Sequence, residues 1–187
     1  MKKMVWVFGQ PGSGRTSIIS ELTSKGEVSE SLDLKDQRIK YIDIPYDKDS
    51  NSSDYSYLRN RETSLLFNTE LFSQDNNDVL LLRGEIPDIM DMPESMLNTI
   101  INYYPEIKQE LLLLCPSDLN VLMTRLRQTE WFQKNYLQNI RKFPMDWLSF
   151  SVQYMRKHLV ELEEYGCTLY DIDTTDGYDI KKHIRTK

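Results

Sequence analysis

What this sequence lacks narrows its function first. It has only two cysteines, Cys115 and Cys167, and two histidines, His158 and His183. The cysteines make no metal-ligand spacing and read as reduced thiols. Neither histidine has a sequence neighbour that suggests catalysis. Long apolar runs are missing too. The one near the start, Met4 to Phe8, is too short for a signal-peptide core or a membrane span. The expectation is therefore a cytoplasmic protein with no membrane partner. Positive charge is not in excess. A formal net charge of -6 gives no overall basic field to attract nucleic acid or anionic lipid, although a local basic groove is compatible with it. No internal repeat and no long linker interrupts the chain. What remains is ordinary: 40% hydrophobic residues, enough to bury a core, in 187 residues, a length that suits one domain over 1–187.

Apolar runs alternate with helical patterns. Met4 to Phe8, Arg38 to Ile44, Asp78 to Leu82, Glu110 to Cys115 and Cys167 to Ile172 read as five strands. "DVLLL" and "ELLLLC" are continuous apolar runs, as buried parallel strands require. Between them, Leu148, Val152, Met155, Leu159 and Leu162 recur at steps of three and four, and Gly166 supplies a stop. Met96, Leu97, Ile100, Ile101 and Tyr104 mark a second helical face, for which Asp91 is the expected cap, with Pro93 in the first turn and Glu94 three residues after the cap. Leu119, Leu122, Met123 and Leu126 mark a third. The alternation predicts a parallel sheet with helices on both faces and a ligand site beyond the carboxyl ends of its strands. The polar stretch 47–54 reads as a loop.

One segment carries chemistry. In "MVWVFGQPGSGRTS", Gly9, Gly14, Arg15 and Thr16 fill the four positions of the phosphate-binding pattern G-x-x-x-x-G-K-S/T, and Gly12 adds flexibility. An apolar strand precedes it and a helical pattern (Ile18, Ile19, Leu22) follows. Glycines let backbone N–H groups converge on phosphate oxygens, and a helix beginning at the loop adds its positive dipole end. Those donors are backbone atoms, so they survive the arginine at position 15. Gly9, Gly12, Ser13, Gly14, Arg15, Thr16 and Ser17 are thus the candidate nucleotide-binding residues, with the Thr16 hydroxyl the expected magnesium ligand. Arg15 keeps the charge of the usual lysine in a longer, planar, forked form.

These residues resemble the small P-loop kinases of nucleosides, nucleotides, adenylylsulfate and polynucleotide ends. The likeness is strong over residues 4–25 and architectural elsewhere. It implies an α/β three-layer fold with a five-stranded parallel sheet in order 2-3-1-4-5. It also implies an acceptor-binding region at about 45–75 and a lid at about 125–145. ATP or GTP with Mg2+ would be the cofactors. The reaction implied is transfer of the terminal phosphoryl group to a hydroxyl of a nucleoside, nucleotide or polynucleotide, a hydroxylated DNA base included. Asp43, at the end of strand two, matches the carboxylate that binds or deprotonates the acceptor, with Asp47 beyond it. Arg59 and Arg61 are candidates for the acceptor's phosphate. Arg83 lands at the functional edge of the sheet, but Leu82 stands before it and the usual acid is missing; Glu85 and Asp88 are the candidate substitutes. Arg125 and Arg127 match the arginines after strand four, for the base and the phosphates, with Arg141 and Lys142 beyond. Trp131, Phe132 and Tyr136 are aromatic candidates for base stacking or core. Thr174, Thr175 and Asp176 would lie near the base. The alternative reading is a non-catalytic nucleotide-binding module, to which Arg15 and the absent acid both point.

Overall fold

A computed structural model describes residues 1–44, 56–89, 95–134, 138 and 145–183. Asp47 with the rest of the loop 47–54, and Asp91, Pro93, Glu94, Tyr136, Arg141 and Lys142, lie outside the described residues, as do the side chains of Arg59 and Trp131.

Strand β1 (Lys3–Gly9) forms the middle of the fold because every side chain from Met4 to Phe8 is buried. It pairs in parallel with β3 (Val79–Arg83) on one side and β4 (Lys108–Leu114) on the other. β2 (Ile39–Ile42) adds to β3, and β5 (Thr168–Asp173) adds to β4, both in parallel. A sixth strand, β6 (Asp179–Lys182), runs antiparallel to β5, placing Ile180 beside Ile172. The sheet order is β2-β3-β1-β4-β5-β6. The expectation of five strands, all parallel, is corrected: the sheet has six and is mixed. The cause is the Asp176-Gly177 dipeptide, a hairpin signal that turns the chain back along β5.

The pleat of β1 divides the core. Met4, Trp6 and Phe8 face one side, where α3 (Ser56–Gln74) brings Phe72, α4 (Met96–Tyr103) brings Leu97 and Ile100, and α7 (Met145–Glu161) brings Met155 and Leu159. Val5 and Val7 face the other, against Ile18 and Leu22 of α1 (Arg15–Thr23) and Val28 of α2 (Glu27–Ser31). Helices on both faces satisfy the apolar runs of the middle strands and make three layers. Full burial of a side chain of this size contributes about 1.5–3 kcal/mol. A smaller cluster joins Leu122, Met123 and Leu126 of α5 (Leu119–Gln128) to Phe132 of α6 (Glu130–Lys134) and Leu148 of α7.

Caps differ in one place from expectation. The Ser95 side chain accepts from the Asn98 N–H and starts α4, four residues beyond the anticipated Asp91. Asp118 caps α5 through the Asn120 N–H at 2.8 Å. The predicted α7 face is buried at Leu148, Met155 and Leu159, and Leu162 falls in a following 3-10 turn that Gly166 closes. Among the described residues, no helix is long and apolar enough to cross a membrane.

Candidate functional site

The loop after β1 is shaped by its glycines and held by its neighbours. The Ser13 N–H donates to the Gln10 carbonyl at 3.0 Å, and the Ile18 N–H donates to the Gly14 carbonyl at 3.0 Å, opening α1. Gly14 precedes the helix at φ 97° and ψ 13°, in the left-handed region, and carries no side-chain cap. The first-turn amides of α1 therefore face the loop without a side-chain acceptor, at the positive end of the helix. Gly12 has φ 85°, and a Cβ there would stand 2.8 Å from the Leu126 amide nitrogen. The loop thus rests directly on the backbone of α5.

A second set of contacts fixes the turn after β5 beside the loop. The buried Thr174 hydroxyl donates to the Ser13 carbonyl at 2.9 Å. Arg125 donates to the Thr174 carbonyl at 2.6 Å and the Thr175 carbonyl at 2.9 Å. The Asp173 carboxylate accepts from the Thr175 hydroxyl at 2.7 Å and from the Ser117 amide at 3.0 Å. Those bonds, Thr175 first, hold its carboxyl well below the usual carboxylate range.

The third set lies at the end of β3. Arg15 is 8% exposed, and its Nη1 donates to the Gly84 carbonyl at 3.1 Å and to Glu85 Oε1 at 3.0 Å. Burial pulls its guanidinium below the ordinary arginine value and the Glu85 charge opposes that pull. Arg83 approaches the same carboxylate oxygen at 3.7 Å, and its buried Nε makes no hydrogen bond. Beneath them is a staple. Arg61 meets Asp88 with two bonds, 2.8 Å and 2.6 Å, donates to the Arg83 carbonyl at 3.0 Å and also donates to the Ile44 carbonyl. Burial pulls the Arg61 guanidinium down, but Asp88 outweighs it and the value is raised. Arg61 therefore joins the ends of β2 and β3, in place of the expected acceptor contact.

These three sets enclose one cavity of ≈ 450 Å³ at the carboxyl ends of the strands. Arg15, Arg83 and Arg125 all line it, with Gly12, Gly14, Thr16 and Ser17; among the described residues no carboxylate does. Gly9 and Ser13 shape the loop behind the cavity wall, and Thr175 acts through its carbonyl. Asp43 is exposed at the end of β2, outside the lining, where its charge bears on Arg61 and Tyr41. Arg127 is exposed on the last turn of α5 and does not reach the cavity. Sequence reasoning missed Gly177 and Tyr178, which also line it. The hairpin signal at Asp176-Gly177 was their only trace. Of the aromatic candidates, Phe132 is fully buried core.

The magnesium ion usual beside such a loop is poorly matched here. Thr16 offers one hydroxyl to the cavity. The strand that ordinarily supplies the acid ends in Leu82-Arg83, beside Trp6 and Val7 of β1. Glu85 is engaged by two guanidinium groups and Asp88 by one. Among the described residues no cluster of three His, Cys, Asp or Glu could hold a metal. The donor set does not fit a magnesium ion held by the protein.

No protein-family model matches the sequence, and no curated protein does. Among solved structures, the chain is similar to one from the PezAT chromosomal toxin-antitoxin system of Streptococcus pneumoniae. That likeness has 15% identity and a TM-score of 0.55, and covers 100% of this chain and 74% of that one. APE1195 gives 15% identity, TM-score 0.47, over 83% of this chain and 95% of its own. YGR205w gives 12% identity, TM-score 0.47, over 99% and 91%. At such identities the likeness is one of fold. The shared fold is α/β, here with a mixed six-stranded sheet flanked by helices.

Proposed function

We propose that the chain binds a nucleoside triphosphate, ATP or GTP, in the arginine-lined cavity and transfers its terminal phosphoryl group to a hydroxyl of a nucleoside, nucleotide or nucleic acid, a hydroxylated DNA base included. One observation carries the reading. Three guanidinium groups and the amide end of α1 converge on a single cavity, and no described carboxylate lines it. Such a cavity favours a polyanion and holds donors ready for charge that develops in transfer.

In this reading the acceptor enters from the β2 side. Asp43 takes the hydroxyl proton as the acceptor oxygen bonds to the terminal phosphorus. The bond from that phosphorus to the bridging oxygen breaks, and a nucleoside diphosphate leaves. Arg15 and Arg83 neutralise the phosphoryl oxygens, and Arg125 holds the turn at Thr174–Thr175 against the base end. The acceptor region at about 45–75, the lid at about 125–145, one domain over 1–187 and a cytoplasmic setting belong to the same proposal.

A second reading is a triphosphate sensor without chemistry. It is favoured by the engagement of Arg15 with Gly84 and Glu85. The test is incubation with terminally labelled ATP or GTP and a panel of nucleosides, nucleotides and hydroxymethylated DNA. Label moving to an acceptor supports the kinase. Calorimetric binding of the triphosphate with no transfer to any acceptor supports the sensor, and no binding at all removes both.

A further inference from the structure

We propose that this cavity takes its triphosphate as the metal-free anion, with guanidinium charge standing where a magnesium ion would be. The proposal rests on the reading of the cavity as a triphosphate site and names the state in which that ligand binds.

The end of β3, where an acid would stand near a divalent ion, holds the buried Leu82 and then Arg83 in the cavity wall. Like charges at such range repel, so Arg83 disfavours Mg2+ where an aspartate would attract it. The nearest carboxylate, Glu85, is already shared between Arg15 at 3.0 Å and Arg83 at 3.7 Å. Arg15 and Arg83, less that one carboxylate, leave a net positive charge at the phosphate end of the cavity, and Arg125 adds a third guanidinium farther along its wall. The buried Arg83 Nε faces Glu85 at 3.7 Å, while the residue itself lines the cavity. A phosphate oxygen in the cavity would meet the rest of that guanidinium, since planar guanidinium groups bind phosphate through their N–H donors.

The experiment is calorimetry on the full chain with ATP and with inorganic tripolyphosphate, each in EDTA and in excess Mg2+. The expected result is affinity in EDTA equal to that in Mg2+ within about threefold, or tighter. Arg83→Asp should reverse the preference, binding at least about tenfold tighter with Mg2+ than without. Arg83→Leu, which adds no acid, should lose affinity in EDTA and gives a second variant should the aspartate misfold. Wild-type binding more than about threefold weaker in EDTA overturns the proposal and leaves the triphosphate reading standing. No heat from either ligand in either condition removes the triphosphate reading itself.

Discussion

Arg15 and Glu85 form an ion pair at 3.0 Å between the glycine-rich loop after β1 and the end of β3, with the arginine nearly buried and the glutamate half-buried. The pair holds a cation of the loop on the β3 side. A ligand phosphate has to compete with the carboxylate for the same guanidinium. Glu85→Gln keeps the shape and removes the charge. Affinity for tripolyphosphate should rise about three- to tenfold by calorimetry. Unchanged or weaker binding would show that Arg15 does not face the ligand.

Arg61 and Asp88 are the buried pair that fixes the ends of β2 and β3, both side chains at most 3% exposed. Removing one partner leaves the other charge buried and alone. Asp88→Ala should lower stability by about 3–5 kcal/mol, read from urea midpoints. The double change Arg61→Met with Asp88→Leu should recover part of that loss. If the single variants melt like the wild type, the staple contributes nothing.

Gly12 lies against the α5 backbone with no room for a methyl group. Gly12→Ala meets both the left-handed backbone and the Leu126 amide, a strain of about 1–3 kcal/mol. Stability and tripolyphosphate affinity should fall together. A variant that loses neither would place the loop away from α5.

Asp173 predicts an acid limb. Its folded carboxyl sits below the ordinary value, because Thr175 and Ser117 bond to the charged form. Its contribution to stability is therefore present above about pH 3.9, the unfolded value, and is lost as pH falls through the lower folded value. Asp173→Asn should flatten the fall in urea midpoint between pH 5 and pH 3, each about one unit from that value. An unchanged slope would assign the limb to other carboxylates.

Burial pushes the Cys115 thiol up to about 11 and the Cys167 thiol up to about 12. Both stay protonated at neutral pH and react through the thiolate only slowly. Ellman's reagent at pH 8, below the ordinary thiol value of about 8.5, should label neither at the rate of a free thiol. Rapid labelling of either one would contradict its packing.

The middle of the fold was readable because its strands are buried on both faces. "DVLLL" and "ELLLLC" leave little else for such runs to be, and β3 and β4 lie within a residue or two of them. β6 was not readable: "DIKK" has one half-buried isoleucine among exposed charges, so no apolar pattern announces it. The loop glycines were visible as a motif, but the direction of Arg15 was not. Its partners, Gly84 and Glu85, stand some seventy residues away in sequence and meet it only because β3 lies beside β1. Arg61 misled for the same reason. A polar helix segment hides that its guanidinium turns inward to Asp88, 27 residues on.

β6 also settles what the border of the sheet can do. It is a four-residue strand with Asp179, Lys181 and Lys182 in solvent. Short, charged rims of this kind do not template a neighbour's backbone. Crowded copies of the chain will not polymerise by sharing hydrogen-bond ladders across that flank, and self-association there has to rely on side chains alone.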